Sequence, residues 1–120
     1  MSKKRIASIV LTVLFCIAVL PGAVMDILQP DMVLEIVEPL GIPLYMLTLI
    51  GIWKLLGIIG LAQPVSSRLR EWATAGFFFD LTGAAWWHAG AGDMAGVAPP
   101  LVILSLLVGA YALRFSSEKA

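Results

Sequence analysis

The sequence predicts an all-α integral membrane protein, an antiparallel bundle of four membrane-spanning helices with a short interfacial amphipathic segment between the first and second helices. Two observations lead to this fold class. The 120 residues are 60% hydrophobic and 13% charged, with a mean hydropathy of +0.96, whereas a soluble domain is about 45–50% apolar and about 25% charged. The apolar residues also form runs long enough to cross about 30 Å of hydrocarbon as helices.

The first predicted span covers residues 6–25, an uncharged run that follows three basic residues. A basic start before an apolar run also occurs in signal peptides. This run is longer than the apolar region of a signal peptide, and residues 20–23 (LPGA) contain no clean small-x-small cleavage site. We therefore expect the first helix to be retained as a span.

Residues 26–43 contain three prolines and four acidic residues. Asp31, Glu35 and Glu38 recur at helical spacing, with apolar residues on the opposite side. The segment is too short and too charged to span, so we predict a short helix lying in the membrane interface. It would serve either as a connector that seals the bundle or as a lid or docking surface.

Three further spans are predicted at residues 44–61, 72–89 and 99–115. Glu71 is expected to open the third span, where a carboxylate complements the helix dipole. Phe77, Phe78 and Phe79 in this span are interpreted as lipid-facing and packing bulk. No repeat or domain boundary is evident, so residues 1–120 are predicted to form a single membrane domain.

The distribution of charge predicts the orientation in the membrane. With four spans, seven of the eight basic residues fall on one side and five acidic residues fall on the other. Basic residues near span ends mark the cytoplasmic face, so we expect both termini to be cytoplasmic. The basic residues of that side are Lys3, Lys4, Arg5, Arg68, Arg70, Arg114 and Lys119, and the acidic residues of the other side are Asp26, Asp31, Glu35, Glu38 and Asp93.

The eighth basic residue, Lys54, lies at the centre of the second span, with thirteen uncharged residues on each side. A lysine at mid-membrane costs at least about 2.5–3.5 kcal/mol unless it is paired or hydrated. Asp80 lies at the same predicted depth in the third span, and helices joined by a short loop pack antiparallel. We hypothesise a buried Lys54–Asp80 pair that either fixes helix register or relays a proton. The small residues expected to let the two helices approach closely are Gly51, Gly57, Gly76 and Gly83.

His88 is the single histidine, near the outer end of the third span. One histidine cannot supply a bis-imidazole haem, and no Cys/His cluster exists for a metal, so no metal site is predicted. His88 is interpreted either as an interfacial hydrogen-bonding residue or as a proton acceptor for a ligand such as a quinone. Trp86 and Trp87 beside it are typical of an interfacial aromatic belt. Lys54, Asp80 and His88 together form the candidate intramembrane polar site.

Two blocks of sequence closely resemble the DoxX-like family of small bacterial four-helix membrane proteins. They are residues 49–57 (LIGIWKLLG) and residues 76–84 (GFFFDLTGA), the second followed by His88. The resemblance extends from about residue 20 to residue 115. It implies an antiparallel four-helix bundle in the bacterial cytoplasmic membrane, associated with membrane redox complexes or with the assembly of other membrane proteins. The resemblance also implies that Lys54, Asp80 and His88 are candidate site residues.

Four functions stay open at this point. They are a quinone- or lipophile-binding subunit linked to membrane redox chemistry, a non-enzymatic membrane partner or assembly factor, a small proton-coupled transporter, and a stand-alone enzyme. The transporter would require a homo-oligomer around a pore. The enzyme is disfavoured because the sequence has no nucleophile–base pair, metal set or phosphate loop. The single cysteine, Cys16, allows no redox pair, and a net charge of zero argues against a nucleic-acid partner.

Overall fold

The computed structural model describes residues 1–119 and, for Glu118 and Lys119, the backbone alone. The side chain of Lys119, which the sequence assigns to the cytoplasmic side, therefore lies outside the described part. Within residues 1–119 the chain is all-α, without a strand. Two 3₁₀ turns, Glu38–Leu40 and Met94–Gly96, accompany the α-helices. The five helices are α1 (Lys3–Leu28), α2 (Asp31–Val37), α3 (Leu44–Ala62), α4 (Ser67–Gly90) and α5 (Ala98–Lys119).

Helix α1 extends beyond the predicted span and ends at Leu28. Gln29 follows in the left-handed conformation, with φ at 53°, and its N–H donates to the carbonyl of Met25. A left-handed residue of this kind commonly ends a helix. Asp26 consequently belongs to the last turn of α1, whereas the sequence analysis had placed it in the connector.

Helix α4 begins at Ser67, earlier than the predicted start of the span at residue 72. Ser66 is its N-cap, because the Ser66 hydroxyl accepts the N–H of Leu69. The prediction that Glu71 opens this helix is therefore wrong. Glu71 lies in the second turn, where it accepts a hydrogen bond of 3.4 Å from the hydroxyl of Tyr111.

The turn between α3 and α4 is closed by the side chain of Gln63. Its Oε1 accepts the N–H groups of Val65 and Ser66 at 2.9 and 2.8 Å. Its Nε2 donates to the carbonyls of Gly60 and Ser66 at 3.0 and 2.7 Å. One side chain thus satisfies backbone groups that the two helix ends and the turn would otherwise leave unpaired.

The long helices pack around a shared core. Helix α1 contacts α3 and α5, and α4 also contacts α3 and α5. In the core, the rings of Phe15 and Phe77 meet edge to face with centroids 4.9 Å apart. Buried Ser8 of α1 donates to the carbonyl of Ala110 in α5 at 2.6 Å. Phe79, in contrast to Phe77, is 71% exposed, as expected for a lipid-facing side chain.

Side-chain contacts define the two ends of the molecule. At one end the first turn of α1 meets the last turns of α5, with Lys4 donating to Ser116 at 2.9 Å. We call this the basic end, because the lysines and arginines of the described termini and of the first turn of α4 lie there. At the opposite, acidic end, Gln29 donates to the hydroxyl of Thr48 at 2.9 Å. The indole N–H of Trp87 there donates to the carbonyl of Leu40 and ties the segment after α2 to α4.

Three helical segments of the described chain are long and apolar enough to cross a membrane. They are α1, α3 and residues Met94–Ser117, which comprise most of α5. Helix α4 has 24 residues, about 36 Å of helix, but it is not among the three because its composition is less apolar. The span at residues 72–89 therefore stays a prediction.

Candidate functional site

Lys54 of α3 forms an ion pair with Asp26 of α1, with 3.0 Å between Nζ and Oδ2. Both side chains are largely buried, at 21% and 14% exposure. Gly51, one turn before Lys54, permits this contact, since a Cβ built there would lie 2.9 Å from the carbonyl oxygen of Ala23 and 3.0 Å from the Cβ of Asp26. The pair thus joins α1 and α3 where glycine lets the two helices approach closely.

The hypothesis that Lys54 pairs with Asp80 is wrong in this structure, since Lys54 donates to Asp26 instead. The direction of the side chains explains the difference. Side chains of a helix lean toward its N-terminus, so Lys54 reaches toward the acidic end and Asp80, on the neighbouring α4, toward the basic end. Asp26 is the site residue that sequence reasoning missed. An α1 continued as far as Pro30 would have placed it on the helix.

Asp80 has a buried oxygen, Oδ2, with no hydrogen-bond partner among the described residues. Leaving a buried polar atom unpaired costs about 1–3 kcal/mol, and more for a charged group. A buried acceptor without a partner calls for an explanation in a native structure. Asp80 lies in the wall of a large cavity.

This cavity, which we call the α3–α4 groove, has a volume of about 720 Å³. It lies between the acidic-end halves of α3 and α4 and is covered by α2 and the 3₁₀ turn that follows it. Its polar lining comes from Asp26, Lys54, Asp80 and His88, and the rest is mainly apolar and aromatic. The groove therefore combines a small set of polar groups with a wide apolar surface, which is typical of small-molecule sites.

A second cavity of about 530 Å³ continues along the seam between α3 and α4 toward the basic end. Trp53, Lys54, Gly76 and Asp80 line both cavities, so the two meet at the polar groups. Its remaining walls are mainly apolar, Gln63 being the other polar residue. Lys54 and Asp80 thus lie about midway along one elongated apolar surface.

Two of the glycines on α4 have a different role from the one predicted. Gly76 and Gly83 flank Asp80, and nothing lies within 4 Å of a Cβ built at either position. The expectation that they mark close helix approach is therefore wrong. Both line the α3–α4 groove, where the absence of a side chain keeps the space around Asp80 open.

His88 lines the acidic end of the same groove. Its Nδ1 lies 2.9 Å from Oδ2 of Asp93, while Oδ1 of Asp93 accepts the N–H of Gly96. The hydrogen bond from His88, followed by that from Gly96, lowers the pKa of the Asp93 carboxyl. An ionised Asp93 accepts a hydrogen bond from Nδ1–H of His88, and in that tautomer of the neutral imidazole Nε2 is a hydrogen-bond acceptor.

The three predicted site residues thus line one cavity, but no hydrogen bond or ion pair joins any two of them. Lys54 is neutralised by Asp26, Asp80 is unpaired within the described chain, and His88 is held by Asp93. Lys54 has two N–H donors beyond the one used by Asp26, and Asp80 has a free acceptor. The groove can therefore both donate and accept hydrogen bonds at its centre.

These features define a helical membrane protein with an apolar groove that holds a few ionisable groups. Residues 10–110 match the DoxX-like family. This is most of the chain, and the protein belongs to that family, as the resemblance of its two sequence blocks had indicated. No curated protein and no solved structure gives a significant match.

Proposed function

We propose that the protein is a multi-pass membrane protein that binds a lipophile with a carbonyl or hydroxyl headgroup in the α3–α4 groove. A quinone, or its reduced form, is the class that fits these groups. The unpaired Oδ2 of Asp80 in the groove wall carries the proposal. In the same proposal the four long helices form an antiparallel membrane bundle with both termini in the cytoplasm.

The contacts between helices support the bundle. Each of α1 and α4 contacts both α3 and α5, and the first turn of α1 meets the end of α5. The basic residues of the described side chains, Lys54 apart, gather at this end, and the positive-inside rule supports a cytoplasmic location for it in the proposed bundle. Lys54 and Asp80 then lie within the membrane, where ionisable residues usually have a function.

The chemistry of the groove supports a quinone-class ligand. A ring carbonyl can accept a hydrogen bond from Lys54 while Asp26 keeps the ammonium neutralised. In the reduced form a ring hydroxyl can donate to Asp80 Oδ2. The apolar walls continue on both sides of these two groups, so they can hold a ring and its hydrocarbon chain and exclude water.

The test is mass spectrometry of the lipid-soluble molecules that co-purify with the protein in mild detergent. Asp80→Asn keeps the shape of the side chain but removes its charge. Glu35→Gln is the matched control, because Glu35 is exposed on α2 and does not line the groove. We expect wild type and Glu35→Gln to retain a quinone-class lipophile and Asp80→Asn to lose most of it.

Recovery of bulk phospholipid alone from all three proteins would overturn the proposal. It would favour the alternative in which the protein is a non-enzymatic partner or assembly factor of a membrane redox complex. Equal retention of a lipophile by wild type and Asp80→Asn would place the ligand elsewhere and remove Asp80 from the site.

A further inference from the structure

A separate cavity at the basic end is bordered by arginines from three different helices. Arg5 of α1, Arg70 of α4 and Arg114 of α5 line one groove of about 420 Å³ between α1 and α3. Gln63, from the turn after α3, also lines it. We call this cavity the arginine groove. It shares no charged residue with the α3–α4 groove, so nothing in the proposed function explains it.

Below the arginines the wall of the groove is apolar. Ile9, Val13 and Ile17 follow one face of α1 and are 38%, 50% and 63% exposed, and Ile58 of α3 lies opposite. These residues continue from the arginines along α1 toward the centre of the molecule. A molecule seated here meets guanidinium groups at one end and a hydrocarbon surface at the other.

The charge at this end is strongly positive. Lys3, Lys4 and Arg68 add to the three arginines of the groove, and Glu71 is the acid beside them among the described side chains. Glu71 lines the neighbouring small cavity together with Arg70 and Arg114, so it offsets part of their charge from the other side. Each guanidinium has five N–H donors in a planar fork, so an arginine that bonds a protein group can still bind a phosphate oxygen.

We propose that the arginine groove binds one anionic phospholipid, with the phosphate between the guanidinium groups and an acyl chain along Ile9, Val13 and Ile17. Arginine binds phosphate in a bidentate geometry that lysine cannot reproduce. Basic pockets between membrane helices on the cytoplasmic side recognise anionic headgroups in this way. The apolar wall selects a lipid over free phosphate, because inorganic phosphate has nothing to place on it.

The test is native mass spectrometry of the protein released from nanodiscs that contain equal amounts of phosphatidylglycerol and phosphatidylcholine. We expect wild type to retain one phosphatidylglycerol in preference to phosphatidylcholine. Arg5→Gln and Arg114→Gln should each weaken retention about fivefold, the effect of one basic residue at an anionic surface. Arg68→Gln is the matched control, because Arg68 is an exposed base of the same end that does not line the groove.

Three outcomes would overturn the proposal. Equal retention of the two lipids would show that no anionic headgroup is selected. Equal weakening by Arg68→Gln and Arg5→Gln would reduce the effect to the overall charge of the basic end. Displacement of the lipid by millimolar inorganic phosphate would make the site a free-phosphate site.

Val13→Trp keeps all the arginines and tests only the proposed position of the acyl chain. This variant also keeps the proposal testable if Arg114→Gln does not fold. A tryptophan there would occupy the apolar wall and lower phosphatidylglycerol retention. Unchanged retention in Val13→Trp would contradict the placement of the chain.

Discussion

The glycines of α3 and those of α4 occupy opposite environments, although both sets recur at helical spacing around a charged residue. A Cβ at Gly51 or Gly57 would lie within 3 Å of a neighbouring helix: the α1 backbone for Gly51 and the ring of Phe77 for Gly57. A Cβ at Gly76 or Gly83 would meet nothing within 4 Å. Glycine thus brings helices together along α3 and lines open space along α4.

The difference follows from which element lies opposite each glycine. Gly51 of α3 faces α1, and Gly57 of α3 faces the ring of Phe77 in α4. Gly76 and Gly83 of α4 face the groove. A pattern of small residues therefore predicts that a helix face lacks side-chain bulk. It does not predict whether another helix packs there or the space stays open.

The strongest test of this comparison introduces the same side chain at two glycines. Gly51→Val places methyl groups against the α1 backbone, which cannot move aside as a flexible side chain can. We expect a loss of about 3 kcal/mol in the free energy of unfolding, at the upper end of the cost of overpacking. Thermal or denaturant unfolding in detergent measures it.

Gly83→Val is the matched variant, and we expect its stability to lie within about 0.5 kcal/mol of wild type. Its valine would project into the α3–α4 groove and reduce lipophile retention instead. A destabilisation of Gly83→Val equal to that of Gly51→Val would mean that α4 is packed at this position and that the groove does not exist.

The second comparison sets the two acids of the groove against each other. Asp26→Asn removes the partner of Lys54 and leaves a buried ammonium unpaired. Breaking a fully buried pair costs about 3–5 kcal/mol. We expect about 1–2 kcal/mol here, because both groups are partly exposed and Lys54 can turn toward Asp80 in the same groove.

Asp80→Asn, by contrast, should lower stability by no more than about 0.5 kcal/mol, because Oδ2 of Asp80 makes no hydrogen bond within the described chain and the substitution removes a carboxylate whose burial is itself costly. The measurement is the free energy of unfolding of the two variants under identical detergent conditions. A larger loss for Asp80→Asn than for Asp26→Asn would restore the Lys54–Asp80 pair as the structural one.

The smallest expected effect concerns the loop that holds His88. The hydrogen bond from His88 lowers the pKa of Asp93, so this interaction stabilises the folded state above the ordinary aspartate pKa of about 3.9. The contribution is lost as the pH falls through the lowered folded-state pKa. In His88→Ala the pKa of Asp93 should rise toward its ordinary value, but not fully, since the N–H of Gly96 still donates to it.

Carboxyl ¹³C NMR titration of Asp93 measures this shift. Trp86→Ala is the control, because the neighbouring Trp86 is 82% exposed and the side-chain hydrogen bond to Asp93 comes from His88. An unchanged Asp93 pKa in His88→Ala would show that the imidazole is not held by this carboxylate in solution.

Much of the helical layout could be predicted from the sequence, because its signals are local. Pro43 and Pro99 mark the starts of α3 and α5, since proline suits the first turn of a helix. The acidic spacing in residues 31–38 predicted α2. Two helix ends were harder to predict. Helix α4 begins after the side-chain cap of Ser66, and α1 ends at the left-handed backbone of Gln29.

For the candidate site, the sequence predicted three of the residues that line the groove but not which residues pair with one another. Hydropathy singled out Lys54 and Asp80 because a charge in an apolar run is conspicuous in sequence. Asp26 was overlooked because it stands just after an uncharged run, where a loop acid is the ordinary interpretation. Pairing depends on the direction of side chains across two helices, and residue spacing along one chain does not contain that information.

The hairpin closed by Gln63 has a consequence for how the chain enters a bilayer. Helix α4 is not among the helices that are apolar enough by composition to cross a membrane, but its turn to α3 is short and internally hydrogen-bonded. If the proposed four-span bundle forms, we expect α3 and α4 to insert as one unit, with the more apolar helix carrying the less apolar one. In that bundle α1, which is synthesised first, would present the carboxylate of Asp26 before Lys54 enters.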